Sequence, residues 1–454
     1  MNGRGRGAAL LVAALSTGFG VALLQLAGAL GAVTSEHTSR NGAAAAMLHV
    51  LAFVFVGLSI YCGAVVTTNT VATVVAGRTR MIALRRLLGA TARAERVAIA
   101  REQLGVGAIG ALAGLAGGTA LAFVSYRIAV ATGILPDSSY AFTDPTVLLP
   151  VVAVPLAGWA AGWAGSRRVL TVRPMQAIQD VGEPSDDEAG GRIRGVLAVL
   201  AVAGGALLLG LGLLIGFLSP AGVIVAFLGG IVSFTGIVLG AHRVVPRALA
   251  VIGRLGGASP SARIAAANAV RYPVRSTRAT IGLVIGVTLI TTFAVAIASF
   301  GAAVHRLLPG GSDLDAFLAG ITTVFSVLTG LSAVVAAVGL VSTLSLSVLQ
   351  RIRELGLLRA LGFGRRAMRT MVIVEGAQLV VTAALLGLLL GVLYGWAGAQ
   401  SLLGSIQKGL VPPALPWPIV LAIAVGAVVL TLIASLAPAA RAARVSPIEA
   451  LRVD

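Results

Sequence analysis

The chain contains one long segment twice. Residues 78–178 align without a gap on residues 351–451, at a constant offset of 273 positions. Because two copies of one sequence are expected to fold alike, the chain must contain two similar units. We place a first repeat in residues 1–180, an acidic linker and spacer in 181–262, and a second repeat in 263–454. Pairs matched by the offset include Gly89 and Gly362, Glu102 and Glu375, Pro145 and Pro418, Arg168 and Arg441.

The composition indicates that these units lie in a membrane. Hydrophobic residues make up 57% of the chain and charged residues only 11%, too little polar surface for a soluble globule. A helix needs about 20 apolar residues to cross a bilayer. The sequence therefore predicts an all-α polytopic membrane protein with ten transmembrane helices in a 4+2+4 arrangement. The apolar stretches are 8–33, 47–76, 105–130, 146–165, then 196–218 and 221–241, then 281–303, 317–348, 371–397 and 419–437.

The distribution of basic residues predicts the orientation. Lys and Arg favour the cytoplasmic ends of membrane spans, and 30 of the 34 lie at the two termini or in the loops after spans two, four, six and eight. The other four are Arg40, Arg127, Arg306 and Lys408. Both termini are predicted cytoplasmic, and the two repeats are predicted parallel rather than inverted. The net charge of +18 then reflects topology and contact with membrane lipid headgroups, not nucleic acid.

The first apolar stretch has one feature of a secretory signal peptide, since Arg4 and Arg6 precede it. Its apolar run is longer than a signal core, and the 273-residue offset aligns it with the seventh stretch. We therefore expect an uncleaved anchor.

The acidic segment 180–194 is glycine-containing and polar, which predicts a flexible linker. An electrostatic latch against the arginine-rich loops is the alternative.

The loop between the second and third spans carries the most specific pattern. In the second repeat, Leu355, Leu358 and Leu361 fall on one helical face, and Gly362 is a suitable C-terminal stop. Two interpretations remain open: a helix lying on anionic headgroups, or a coupling helix that docks into a motor subunit. The residues assigned to this loop are Arg351, Arg353, Glu354, Leu355, Leu357, Leu358, Arg359, Leu361 and Gly362, and in the first repeat Arg80, Leu84, Arg86, Leu87, Leu88 and Gly89.

The first repeat departs from this pattern at two positions. Met81 replaces the residue matching Glu354, and Arg85 replaces the leucine matching Leu358. The apolar stripe of the first loop is therefore weaker. We hypothesise that the two coupling helices are not equivalent.

The third span of each repeat carries glycines four residues apart. Glycines at this spacing let helix backbones approach closely in lipid, so we interpret them as packing seams, where the repeats meet or where each braces its own neighbouring helices. Lining of a substrate path is the alternative. The glycines are Gly110, Gly114, Gly118, Gly387, Gly391 and Gly395.

Each repeat also has one carboxylate near the start of that span, Glu102 and Glu375. A carboxylate at such a depth is costly unless it is paired or reaches water. Pairing with nearby arginines such as Arg101 or Arg369 is one interpretation. A hinge-like ion pair between the coupling helix and the span is the other.

Several chemistries are excluded or left without support. A Walker loop needs a lysine after a glycine-rich turn, and the sole lysine, Lys408, has no such sequence before it. The four histidines are scattered without metal-ligand spacing. We therefore expect no catalytic residues, no metal and no cofactor in this chain, with ATP and Mg²⁺ bound by a partner.

Three segments resemble a known family. Residues 353–362, the ending 438–452 and the segment 265–278 are similar to the signature loop, C-terminus and entry segment of the FtsX-like and MacB-like permeases, the type VII class of ABC transporters. The resemblance implies a permease subunit in a bacterial cell membrane, driven by a separate cytosolic ATPase. Two coupling loops per chain predict two ATPase copies.

The resemblance further implies extrusion or mechanotransmission of an amphiphilic cargo such as a peptide, a lipid or a lipoprotein. The alternative is a membrane scaffold or signalling subunit that moves no cargo and regulates cell-envelope enzymes.

Overall fold

The computed structural model describes residues 3–37, isolated positions between 54 and 75, and residues 79–131, 144–167, 191–255, 267, 273–307, 364–407, 409–418, 420–426 and 428–429. The described part is helical and contains no strand. Its elements are α1 (Gly3–His37), α2 (Thr79–Leu87), α3 (Ala92–Ala131), a 3-10 turn (Pro145–Val147) leading into α4 (Leu148–Gly165), α5 (Gly191–Gly216), α6 (Gly222–Leu255), α7 (Pro273–Leu307) and α8 (Arg365–Gln407).

Seven helices in the described part are long and apolar enough to cross a membrane. They coincide with the predicted spans one, three, four, five, six, seven and nine. The prediction of an all-helical membrane protein is thereby confirmed. The predicted second, eighth and tenth spans lie wholly or partly outside the described residues, so the count of ten stays a prediction, as does the side on which the termini lie.

Several helices extend well beyond the apolar stretches that predicted them. The helix α3 begins at Ala92 and has 40 residues, so at 1.5 Å per residue it is about 60 Å long. The hydrocarbon core of a bilayer is only about 30 Å thick. Arginine and glutamate favour helices, so charged flanks continue the helix outside the lipid. The acidic linker is also shorter than predicted, because α5 already begins at Gly191.

The two helices α1 and α7, equivalent under the 273-residue offset, form the centre of the molecule. Within the spans of both, 78% of an 18-residue window is buried. They meet where Phe19 and Phe293 pack with ring centroids 5.5 Å apart. The helix α3 packs beside α1, and α8 packs beside α7. Each repeat thus contributes one central helix and one close neighbour to it.

The spacer forms a helical hairpin against the second repeat. The helices α5 and α6 pack along their length, and both contact α8. A Cβ built on Gly229 would lie 2.5 Å from the backbone N of Leu209, so the hairpin is closed tightly. The opposite face of α5 exposes Val196, Leu200 and Leu207, which is typical of a surface covered by lipid. The spacer therefore stands between the second repeat and the membrane.

Candidate coupling site

The helix α2 lies in the predicted coupling loop of the first repeat. Its inner face is formed by Ile82 and Ala83, which are buried against Val71 and Val75 of the predicted second span. Its outer face is apolar but exposed, with exposed fractions of 55% for Met81, 44% for Leu84, 48% for Leu87 and 89% for Leu88. A short helix is therefore anchored on one side and presents large apolar side chains on the other.

Backbone hydrogen bonds fix the end of α2. Gly89 has φ +98°, a left-handed conformation that glycine adopts without steric cost. Its N–H donates to the carbonyl of Arg86 at 3.1 Å, and the N–H of Ala90 donates to the carbonyl of Arg85 at 3.0 Å. This pair of bonds is the Schellman motif. The sequence predicts that Gly362 ends the coupling helix of the second repeat, and Gly89 is the matching residue. The left-handed conformation of Gly89 gives the physical reason for a glycine at this position.

The next helix is capped immediately afterwards. The hydroxyl of Thr91 accepts from the N–H of Ala94 at 3.1 Å, the contact made by an N-cap threonine. The segment between α2 and α3 is thus only a few residues long, and both of its ends are hydrogen-bonded. The connection between α2 and α3 is therefore short and fixed at both ends.

An ion pair also links α2 to α3. Arg85 and Glu95 approach to 3.5 Å, with side chains 59% and 12% exposed. An exposed pair of this kind contributes little stability. At the matching positions the second repeat has Leu358 and Met368, so the same pair cannot form there.

The other assigned coupling residues of the first repeat, Arg80 and Arg86, also lie in α2. The coupling residues of the second repeat lie outside the described residues: Arg351, Arg353, Glu354, Leu355, Leu357, Leu358, Arg359, Leu361 and Gly362. The non-equivalence of the two helices therefore stays a prediction.

A buried arginine joins α3 to the end of α4, and the sequence analysis missed it. The guanidinium of Arg96 lies 4.1 Å from the ring centroid of Trp163. It donates to the carbonyl of Trp163 at 2.8 Å and to the hydroxyl of Ser166 at 3.4 Å. Arg96 is only 9% exposed, so these contacts replace most of its hydration. Arg96 thereby clamps the third and fourth spans of the first repeat at one end.

The glycines of α3 lie against α1. A Cβ built on Gly110 would lie 2.7 Å from the Cβ of Ala13, and one on Gly118 would lie 2.5 Å from the carbonyl oxygen of Gly18. Gly114 faces the carbonyl of Ala14 and the backbone of Gly18. The two backbones are therefore in contact, and no side chain fits between them.

The glycines of α8 lie against α7 at the matching positions. A Cβ built on Gly387 would lie 2.6 Å from the Cβ of Val287, and one on Gly395 would lie 2.6 Å from the carbonyl oxygen of Thr292. Gly391 faces the Cβ of Thr291. Each set of glycines thus braces the neighbour within its own repeat. The order of the contacts also shows that both helix pairs run parallel.

The two interfacial carboxylates differ in burial. Glu102 is partly buried on α3, whereas Glu375 on α8 is 8% exposed. Each takes part in an interaction within the protein. Around Glu375, the buried side chains Gln378 and Thr382 continue the same face of α8. The second repeat therefore holds a buried polar row at the level where the first repeat has Glu102.

A loop after α8 folds back onto the helices and was not foreseen from the sequence. The side chain of Gln400, 1% exposed, accepts from the N–H of Val411 at 2.6 Å and donates to the carbonyl of Gly409 at 3.1 Å. The indole N–H of Trp396 donates to the carbonyl of Val411 at 2.8 Å. The amide of Gln400 within an apolar span was the sequence signal for this contact.

Among the described residues, no group of three His, Cys, Asp or Glu side chains could hold a metal ion.

Three relatives share sequence with part of the chain. The uncharacterized ABC transporter permease YknZ of Bacillus subtilis is 29% identical over 133 residues, 29% of this chain and 32% of the relative. An uncharacterized ABC transporter permease of Methanocaldococcus jannaschii is 28% identical over 134 residues, 29% of this chain and 33% of the relative. The macrolide export ATP-binding/permease protein MacB of Rhodopirellula baltica is 29% identical over 143 residues, 30% of this chain and 19% of the relative. The chain therefore spans about a third or less of the length of the relatives it matches.

A family model matches the chain twice. The FtsX-like permease C-terminal family covers residues 53–174 and again residues 326–447. The two matches begin 273 residues apart (326 − 53), which is the offset of the internal repeat. Together they cover more than half of the chain, and the resemblance inferred from the sequence is confirmed: the chain belongs to the FtsX-like permease family.

Proposed function

We propose that this chain is the permease subunit of an ABC transporter, which couples ATP hydrolysis by a separate cytosolic ATPase to extrusion or mechanotransmission of an amphiphilic cargo. Membership of the FtsX-like family and relatives described as ABC transporter permeases support the proposal.

The exposed apolar face of α2 is the observation on which the proposal rests. Met81, Leu84 and Leu88 stand together in a loop that the charge distribution predicts to be cytoplasmic. Contiguous exposed apolar side chains mark a surface that another protein or a membrane covers. The hydrogen-bonded turn from α2 to α3 favours a protein partner, because a stiff connection is required to transmit a push.

The topology assumed in the proposal has structural support. The helices α1 and α3 pack in parallel, so the chain must return between residues 37 and 92. Helical positions occur between residues 54 and 75, where the second span is predicted. The same argument applies to α7 and α8, which supports a span between residues 307 and 365. If the last predicted span also crosses, the chain has ten spans and both termini lie on one side of the membrane, which the charge distribution predicts to be the cytoplasm.

Two coupling loops in one chain favour two ATPase copies, each binding its own ATP and Mg²⁺. The proposal places the complex in a bacterial cell membrane in contact with lipid. The glycine seams leave no room for an added Cβ between the paired helices, which speaks against a wide aqueous path along them. A peptide, lipid or lipoprotein that enters from the bilayer is the cargo class that best suits such a structure.

The test is purification of the full chain from its native membrane in mild detergent, with mass spectrometry to identify and count the proteins that accompany it. We expect two ATPase copies per chain. Leu84→Asp should weaken ATPase binding at the first loop and Leu358→Asp at the second. Leu218→Asp, which adds the same charge at an exposed apolar position in the turn between α5 and α6, serves as the matched control.

A chain that purifies alone in several detergents would contradict the proposal. If the ATPase is present but its hydrolysis rate ignores candidate amphiphiles, a scaffold that moves no cargo becomes the better interpretation.

A further inference from the structure

An aromatic bridge joins three parts of the chain. Phe234 of the spacer helix α6 packs edge-on against Tyr61 of the second span, with ring centroids 6.2 Å apart. It packs in the same way against Tyr394 of α8, also at 6.2 Å. One spacer residue thus stands between a ring of the first repeat and a ring of the second.

Two hydrogen bonds hold the bridge. The hydroxyl of Ser233 donates to the carbonyl of Gly230 in its own helix at 3.1 Å, so it accepts from the hydroxyl of Tyr394 at 2.9 Å. The hydroxyl of Thr235 likewise donates to the carbonyl of Ile231 at 2.7 Å and accepts from the hydroxyl of Tyr61 at 2.7 Å. The polar ends of both tyrosines are therefore satisfied, and their rings are left as walls.

A cavity of about 120 Å³ lies beside this bridge, between the spacer and the second repeat. Its walls are almost entirely apolar and include Phe300 and Leu402. At the Leu402 end it reaches a cluster closed by Val411 of the folded-back loop. Apolar cavities near 150 Å³ stay dry and accept molecules of the size of benzene. The space therefore suits several methylene groups rather than water.

The cavity is partly open, and its surroundings indicate what can enter. Ile224 and Leu228 on α6, next to the lining residues Val223 and Phe227, are 50% and 51% exposed. Apolar helix surface of this kind faces hydrocarbon in a membrane protein. Hydrocarbon is accordingly the material closest to the opening.

We propose that this cavity binds an acyl chain of a phospholipid from the bilayer, with its apolar walls packing against the methylene groups. The inference deepens the proposed function, since it gives an amphiphile a site that touches the first repeat, the spacer and the second repeat together.

The test uses the full chain in lipid nanodiscs that contain a phosphatidylglycerol with a diazirine near the end of one acyl chain. After illumination, mass spectrometry should locate the label on the cavity wall around Phe300 and Leu402. Gly398→Leu fills the cavity, because Gly398 lines it and a Cβ there meets nothing within 4 Å. This variant should lower labelling of the wall by roughly tenfold, as filling a cavity removes the room for a ligand.

Gly117→Leu is the matched control. A Cβ on Gly117 also meets nothing within 4 Å, the residue lies on α3 away from the cavity, and the second repeat already has Leu390 at the matching position. Labelling of the cavity wall should be unchanged. Equal labelling in Gly398→Leu and in the unmodified chain would overturn the site.

A second comparison identifies the occupant. A diacylated peptide, present at a lower concentration than the labelled phospholipid but in excess over the protein, should leave labelling of the cavity wall unchanged. Displacement of the label by this peptide would show that a lipid-anchored cargo is the occupant and would overturn the phospholipid assignment.

Failure of this inference is distinguishable from failure of the proposed function. Labelling reports on the cavity without any ATPase, whereas copurification reports on the partner without any lipid probe.

Discussion

Both repeats contain an equivalent pair of packed helices, but the contacts between the two helices differ. In the first repeat the glycines of α3 meet Gly18, and backbone touches backbone. In the second repeat the position matching Gly18 is Thr291, and side chains enter the seam. In the first repeat Arg96 also clamps α3 to the end of α4, whereas in the second repeat the spacer hairpin packs against α8. Duplication therefore preserved the helix pairing and left its means of stabilisation free to diverge.

The largest effects are expected at the seams. Gly118→Ala and Gly391→Ala should each destabilise the protein by about 2 kcal/mol, the cost of overpacking a closed contact. Thr291→Gly should recover about half of the loss in Gly391→Ala, since double changes in contact couple. No such rescue exists for Gly118, whose neighbour is already Gly18. Thermal unfolding in detergent, monitored by size-exclusion chromatography, measures the losses.

The control for the seams is Gly117→Ala. The added Cβ meets no atom within 4 Å, so the substitution should be neutral or slightly stabilising. Identical behaviour of Gly391→Ala with and without Thr291→Gly would mean that side chains do not set the spacing of the second seam.

The contacts of Arg96 with the end of α4 should give the next largest difference in stability between the two repeats. Arg96→Ala should cost about 1–2 kcal/mol, from the loss of a buried cation–π contact and its hydrogen bonds. Arg369→Ala, at the matching position, should cost less, because Leu436 and Ala439 stand where the first repeat has Trp163 and Ser166. The same unfolding assay decides between them. Equal losses would remove the clamp from the list of differences between the repeats.

Substitution of the glycine that ends each coupling helix should have a similar effect in the two repeats. Gly89→Ala forces a Cβ into a left-handed conformation and should cost about 1 kcal/mol, with a smaller cost for Gly89→Asn. We expect the same ranking for Gly362→Ala and Gly362→Asn. Thermal unfolding in detergent measures these losses, and a harmless Gly362→Ala would mean that the second coupling helix ends in another way.

The smallest effect is expected at the exposed ion pair. Glu95→Gln should change stability by less than about 0.5 kcal/mol, and high salt should abolish the difference because exposed pairs are screened. Met368→Gln, the matching change in the second repeat, should be neutral at any ionic strength. A larger loss in Glu95→Gln would show that the pair supports the turn between α2 and α3.

Much of this architecture could be predicted from sequence because it depends on local composition. Apolar length gave the spans, and glycine spacing located the seams. The partners of Gly114 and Gly391 could not be predicted, because spacing along one helix does not reveal which helix lies opposite. The clamp and the aromatic bridge escaped for the same reason: Arg96 and Trp163 are distant in the chain, and so are Tyr61, Phe234 and Tyr394.

The length of α3 has a mechanical consequence. A helix of 40 residues, about 60 Å long, behaves as a lever whose fulcrum is the glycine contact with α1. If the arm between Ala92 and Gly114 is pushed at α2, the opposite end of the helix must swing the other way, and no local unfolding is required to carry the motion. Under the proposed coupling, a small displacement of α2 thus becomes a tilt at the other end of α3, with a size set by where Gly114 places the pivot.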